Sequence, residues 1–264
     1  MRKRLLLLLA GLIFLGGVGL LLYPTVSQWW NARSQSDVIA NYADEIADLS
    51  EEEIEKEIGR AREYNLNLTE AVAMADPFRE QDVVDTSDYD TLLNHTADGV
   101  MGYVEIPKIN VLLPIYHGVD SSILNMGAGH LPETSLPVGG PGTHCVLAGH
   151  SGMTHARLFT DLPELNQGDT FLIHVYNRTL TYTVDQVKTV LPTDTSDLNV
   201  IPGEDHVTLL TCVPIGVNSH RLLVRGTRTD DFTSFRRTIR QRPDSGRYIL
   251  PANPASPGFY ISGR

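Results

Sequence analysis

Apolar residues are distributed very unevenly along this 264-residue chain, and each change in their spacing marks a change of element. Leu5–Leu22 is a continuous apolar run without a charge, long enough to cross the hydrocarbon core of a bilayer as a helix. Beyond it, Ile39, Tyr42, Ile46 and Leu49 recur at helical spacing. Ser50 and Glu53 then read as a capping box that opens a second helix through Arg60 to Tyr64. The acids Glu51–Glu53 fall in its first turn, where the helix dipole favours negative charge. Asn65–Ala97 is largely polar and is interrupted by Asp76-Pro77-Phe78, which by itself is an ordinary turn.

From Gly99 the period shortens to that of strands. Met101–Ile106, Val111–Tyr116, Cys145–Ala148, Phe171–Val175, Leu180–Val184, Val187–Leu191, Val207–Cys212 and Leu222–Thr227 are short β-rich runs. The tight Tyr176–Thr179 connection marks a hairpin, and only Ala156–Leu165 has a helical pattern. Many short strands at regular spacing predict a closed or nearly closed β-barrel. There is no internal repeat and no glycine-rich phosphate loop.

Composition narrows the function classes. An apolar fraction of 42% is that of a globular protein, and a net charge of −11 argues against nucleic acid as the main partner. Two cysteines make no disulfide framework, and both are expected to be free. Arg2, Lys3 and Arg4 precede the apolar run, whereas acidic residues begin at Asp37 after it. That asymmetry predicts a cytoplasmic N-terminus and an extracellular body. No small-x-small cleavage site follows Leu22, so the run reads as an uncleaved single-pass anchor rather than a signal peptide.

The chemistry concentrates in Thr208–Arg225. Cys212 ends one apolar run and Arg221 begins the next, so a short loop should bring thiol and guanidinium side by side. A thiol nucleophile needs groups that stabilise its thiolate and the oxyanion it creates. His150, in Gly149-His150-Ser151-Gly152, follows another apolar run and is either the base or a turn histidine without a task. His144, His150 and His155 lie near Cys145, but their spacing matches no standard zinc arrangement, and no metal or cofactor is expected.

Thr208-Leu209-Leu210-Thr211-Cys212 with Arg221 downstream and Ala148-Gly149-His150 upstream resembles a sortase. Thr211–Gly226, Ser135–Gly140 and Leu158–Leu162 are similar to the class C, pilin-polymerising branch. The resemblance is dense from Gly99 to Thr229 and looser over the stem. It implies an eight-stranded sortase-type β-barrel with short helices, preceded by a helical stem and a transmembrane helix. It further implies Cys212 as nucleophile, His150 as acid/base and Arg221 as the oxyanion or substrate-positioning residue. Asp76 and Phe78 match a regulatory lid whose acid faces the arginine and whose ring covers the cysteine.

The implied activity is cleavage of an LPxTG-like sorting signal on secreted pilins and transfer of the acyl group to a lysine of the next pilin. Two alternatives are a housekeeping sortase that anchors proteins to peptidoglycan and a non-catalytic, membrane-tethered binding module. The expected divisions are an anchor at 1–24, a stem with lid at 25–98, the catalytic barrel at 99–230 and a basic, disordered tail at 231–264. That tail stands where many class C relatives carry a second membrane span, which puts a two-anchor topology in doubt. Leu131-Pro132-Glu133-Thr134-Ser135 itself looks like a sorting signal but sits mid-chain, where it is read as a coincidence. Cys145, within an apolar strand, is read as a small buried residue.

Overall fold

A computed structural model describes residues 2–68, 76–78, 88–96 and 98–229. The expected C-terminal tail lies outside the described residues. The apolar run and the first stem segment form one continuous helix, α1 (Arg2–Ala47), which runs through Pro24. Its large apolar side chains from Leu6 to Trp30 are exposed, and this stretch is long and apolar enough to cross a membrane. Further on, Ile39, Tyr42 and Ile46 are buried, as their helical spacing requires. Tyr42 fastens the helix: its hydroxyl donates to the Met101 carbonyl (3.1 Å) and accepts from the Tyr176 N–H (2.7 Å).

Helix α2 (Glu51–Asn67) begins with the capping box expected at Ser50. The Ser50 N–H donates to Glu53 Oε2 (2.8 Å) and the Glu53 N–H to Ser50 Oγ (3.3 Å). Each bond occupies a donor that a helix start would otherwise leave unpaired. Its apolar face, Ile54, Ile58 and Ala61, is buried.

Eight strands close a barrel: β1 (Val100–Ile106), β2 (Val111–His117), β3 (Ala128–His130), β4 (Thr143–Ala148), β5 (Thr170–Val175), β6 (Arg178–Val190), β7 (Asp205–Val213) and β8 (His220–Arg228). Around the barrel they run β1-β2-β3-β4-β7-β8-β6-β5. The β2/β3 and β4/β7 pairs are parallel and the others antiparallel. A short helix, α3 (Ser121–Met126), precedes β3.

The expected strand number is right, but two of its parts are not. Leu180–Val184 and Val187–Leu191 belong to a single strand, β6, whose register shifts between Val184 and Gln186. The polar Asp185-Gln186 pair that reads as a break is a bulge, and Asp185 pairs there with Arg225 (Nε–Oδ2 3.1 Å). β3 escapes sequence reading because three residues are too few to show alternation. The helix expected over Ala156–Leu165 is absent: only a 3-10 turn at Leu162–Glu164 forms. Leu158 has a φ of 42°, outside the right-handed helical region, and Pro163 lacks the N–H a helix would need.

Alternation along the strands separates two apolar clusters. One includes Ile115, Phe171, Ile173, Tyr182, Leu209 and Val224. The other includes Leu131, Val146, Ala148, Val190, Leu210 and Leu223, with Phe78 packed against it. Cys212 lies two residues beyond Leu210 and Arg221 two before Leu223, so both share a strand face with the second cluster.

Candidate active site

Cys212 and Arg221 are direct cross-strand partners in β7 and β8. Both are largely buried. The parallel β4/β7 pair brings in His150: Ala148 is in register with Leu210, so the residues after β4 run beside Thr211 and Cys212. Three hydrogen bonds fix that stretch. The Gly149 N–H donates to the Leu210 carbonyl (3.0 Å), the Thr211 hydroxyl to the Gly149 carbonyl (2.7 Å), and the Ser151 hydroxyl to the Cys212 carbonyl (2.6 Å). Gly149 cannot carry a side chain, because a Cβ there would lie 2.6 Å from the Phe159 ring. The ring buttresses the turn from which His150 emerges.

Asp76-Pro77-Phe78 lies across this mouth. Arg221 Nε donates to Asp76 Oδ1 (2.8 Å) and Nη2 to Asp76 Oδ2 (2.6 Å). The Phe78 ring sits 5.6 Å from the His150 ring, and the Arg221 guanidinium lies 5.1 Å from the centre of the same ring. Arg221 Nη1 donates to the carbonyls of Asn218 and His220, both at 3.0 Å. Asp76 and these carbonyls therefore engage Nε, Nη1 and Nη2 together. The structure thus brings all five residues singled out in the sequence to one end of the barrel. Thr211 and Ser151, which staple the two strands there, give no distinctive sequence signal: each is a common residue beside a more conspicuous one.

The electrostatics differ from the sequence expectation. Burial pushes the Cys212 thiol up to about 11; Arg221 pulls it down and Asp76 adds to the rise. Burial also holds the His150 imidazole below its ordinary value. The sequence leads one to expect groups beside Cys212 that stabilise its thiolate. Arg221 favours the thiolate, but removal from water dominates. Burial thus disfavours the charged form of both groups, the thiolate of Cys212 and the imidazolium of His150.

The remaining candidates have other partners. Cys145 is a buried free thiol, its pKa raised by burial. His144 is held between the Asn199 carbonyl (2.9 Å) and the Thr208 hydroxyl (2.7 Å). The signal-like Leu131–Ser135 stretch is built into the fold: the Thr134 N–H and hydroxyl donate to the Leu131 carbonyl, and the hydroxyl accepts from the Val146 N–H.

A family model described as "Sortase domain" matches residues 104–229. Sortase C-1 from Actinomyces oris is 45% identical, with 68% of this chain and 99% of that one covered at a TM-score of 0.65. Sortase C1 from Streptococcus agalactiae is 42% identical, covering 74% and 99% at a TM-score of 0.68. Sortase A of Bacillus anthracis is 30% identical over 151 residues, which is 56% of this chain and 70% of that protein.

Proposed function

This chain belongs to the sortase family, and we propose that it is a membrane-anchored class C transpeptidase that joins secreted pilins into covalent polymers. The identity to sortase C-1 exceeds that to sortase A, which favours the pilin over the cell-wall acceptor. The observation that carries the reading is the cross-strand pairing of Cys212 with Arg221 beneath the Asp76–Phe78 segment.

With the lid lifted, His150 takes the proton of the Cys212 thiol and Sγ attacks the threonine carbonyl carbon of an LPxTG-like signal. Arg221, freed from Asp76, turns its donors to the oxyanion, where each lost donor typically costs about two to three powers of ten in rate. The bond from threonine carbon to the next residue's nitrogen breaks, and His150 protonates the leaving amine. A thioester on Cys212 remains. The ε-amine of a pilin lysine attacks it, His150 accepts the proton, and an isopeptide bond replaces the thioester. Acyl energy passes from one amide to another, so no nucleotide is consumed. The N-terminal helix holds the enzyme in the cell membrane by a single pass with its barrel outside.

The lid supplies timing. A thioester open to water hydrolyses and an exposed thiolate oxidises. Keeping the thiol neutral beneath Phe78 until a pilin arrives limits the oxidation, and closure over the acyl-enzyme limits the hydrolysis. The test is incubation of the enzyme with a pilin and a sorting-signal peptide, followed by mass spectrometry. Pilin–pilin isopeptides and a Cys212 thioester are expected. Peptide cleavage without polymers would remove the pilin-joining reading, and no acyl adduct on Cys212 would remove the thioester mechanism.

A further inference from the structure

The contacts of α1 give the barrel a direction relative to the bilayer. In chain order, Gln28 Nε2 donates to the Thr154 carbonyl (3.2 Å), Asn31 Nδ2 to the His155 carbonyl (2.6 Å), Gln35 Nε2 to the Met126 carbonyl (3.0 Å), and Tyr42 to Met101. The first three partners lie at the Cys212 end. Met126 precedes β3, whose Gly129 pairs with Ala148 at the end of β4, and Thr154 and His155 lie in the loop that follows His150. Tyr42 instead meets Tyr176, in the turn between β5 and β6 at the opposite end. The helix therefore passes the Cys212 end first as it leaves its apolar segment.

The spacing is short. Leu22 and Asn31 are separated by about 13 Å along the axis, at ~1.5 Å per residue. Trp29 and Trp30, both exposed, stand between them, at the level where aromatic side chains favour the interface. An apolar groove of about 670 Å³ is lined by Leu22, Tyr23, Val26 and Trp30 of α1 and also by His155, so the loop after His150 reaches down towards the span.

A second observation concerns the barrel itself. Among the described residues from 98 onward, the exposed large apolar side chains are Met126, Val187, Leu191, Ile215 and Val217. Met126, Leu191, Ile215 and Val217 lie at the Cys212 end, and Val187 is on the last turn-ward part of β6 towards it. Ile215 and Val217, on the β7–β8 loop, are 51% and 69% exposed. The loop is tied to the α1 contacts: a Cβ on Gly152 would sit 2.3 Å from Ile215 Cγ2.

We propose that the Cys212 end of the barrel faces the membrane that holds α1, with Ile215 and Val217 resting in its headgroup layer. This rests on the anchor reading above. Lipid is favoured as the occupant because the rim is continuous with the exposed apolar face of the span and is fixed to it by the Gln28, Asn31 and Gln35 contacts. The cysteine then opens at the height of residues just leaving the bilayer. A polypeptide still embedded in the same membrane presents its first extramembrane residues there, which restricts substrates by position as well as by sequence.

The test uses the full chain in nanodiscs, with Cys212→Ala removing the reactive thiol. Single Ile215→Cys, Val217→Cys and Asn177→Cys variants carry an environment-sensitive fluorophore; Asn177 is exposed in the turn at the opposite end. Lipids spin-labelled at the headgroup are the quencher, and quenching of Trp29 and Trp30 reports insertion of the span in the same samples. Loss of emission at 215 and 217 but not at 177 is expected. Unquenched labels at 215 and 217 beside quenched tryptophans would overturn the orientation while leaving the anchor intact. Unquenched tryptophans would overturn the anchor and the orientation with it.

Discussion

Asp76 and Arg221 are 145 positions apart in the chain and meet in a two-pronged ion pair, at 2.8 and 2.6 Å, with both side chains almost wholly buried. The carboxylate engages the fork of the guanidinium through Nε and Nη2. In the proposed mechanism this one contact both holds the lid and withholds the oxyanion donors.

Asp76→Ala is expected to open the site. Burial is the main cause of the raised thiol pKa, and the variant relieves it by releasing the segment while also removing the Asp76 charge that adds to the rise. Each unit by which the Cys212 pKa falls multiplies the thiolate fraction at neutral pH about tenfold. The rate of alkylation of Cys212 measures this, and a rate equal to that of the unaltered protein would count against the lid.

Arg221→Ala should lower acyl transfer by about two to three powers of ten while Cys212 remains reactive to small alkylating agents. Arg221→Lys should recover little of it, because an ammonium has no planar fork. Single-turnover acylation separates these effects from peptide binding.

Alkylation of Cys212 in the closed protein should rise with pH and have its midpoint near 11, well above an ordinary thiol. The sign for stability follows. The folded state keeps this proton to higher pH than the unfolded chain does, so the contribution is complete below the unfolded thiol's pKa. It is lost as pH rises through the folded value. Denaturation curves of the Cys212→Ala variant should lose this alkaline component.

Tyr42→Phe removes a hydroxyl that both donates to Met101 and accepts from Tyr176 at a buried junction of stem and barrel. Leaving buried polar backbone groups unpaired should destabilise the fold by about 1–3 kcal/mol. Chemical denaturation of the full chain in detergent measures it, and an unchanged midpoint would mean that water replaces the hydroxyl.

Gly149→Ala puts a methyl group where the Phe159 ring lies 2.6–3.0 Å away. The turn carrying His150 must shift, so acyl transfer should fall while Cys212 alkylation changes little. Adding Phe159→Leu to make room should restore part of the transfer rate.

Much of this was legible in sequence because it is local. The span is a run of apolar residues, the α2 start is a four-residue capping box, and the Cys212–Arg221 pairing follows from two apolar runs flanking one short loop. Elements whose form depends on distant partners were not legible. β3 is three residues held between β2 and β4, and the Asp185 bulge is a strand interior only because β8 lies alongside.

Residue order alone therefore determined the anchor, the strand-rich body and the two strands that carry thiol and guanidinium, since short-range spacing fixes which face each side chain takes. Tertiary structure decided the rest. It brought Asp76 onto Arg221, set Phe78 against His150 and buried Cys212, so that desolvation outweighs the guanidinium's pull. Burial depends on what the whole chain packs around an atom, and no local pattern encodes it.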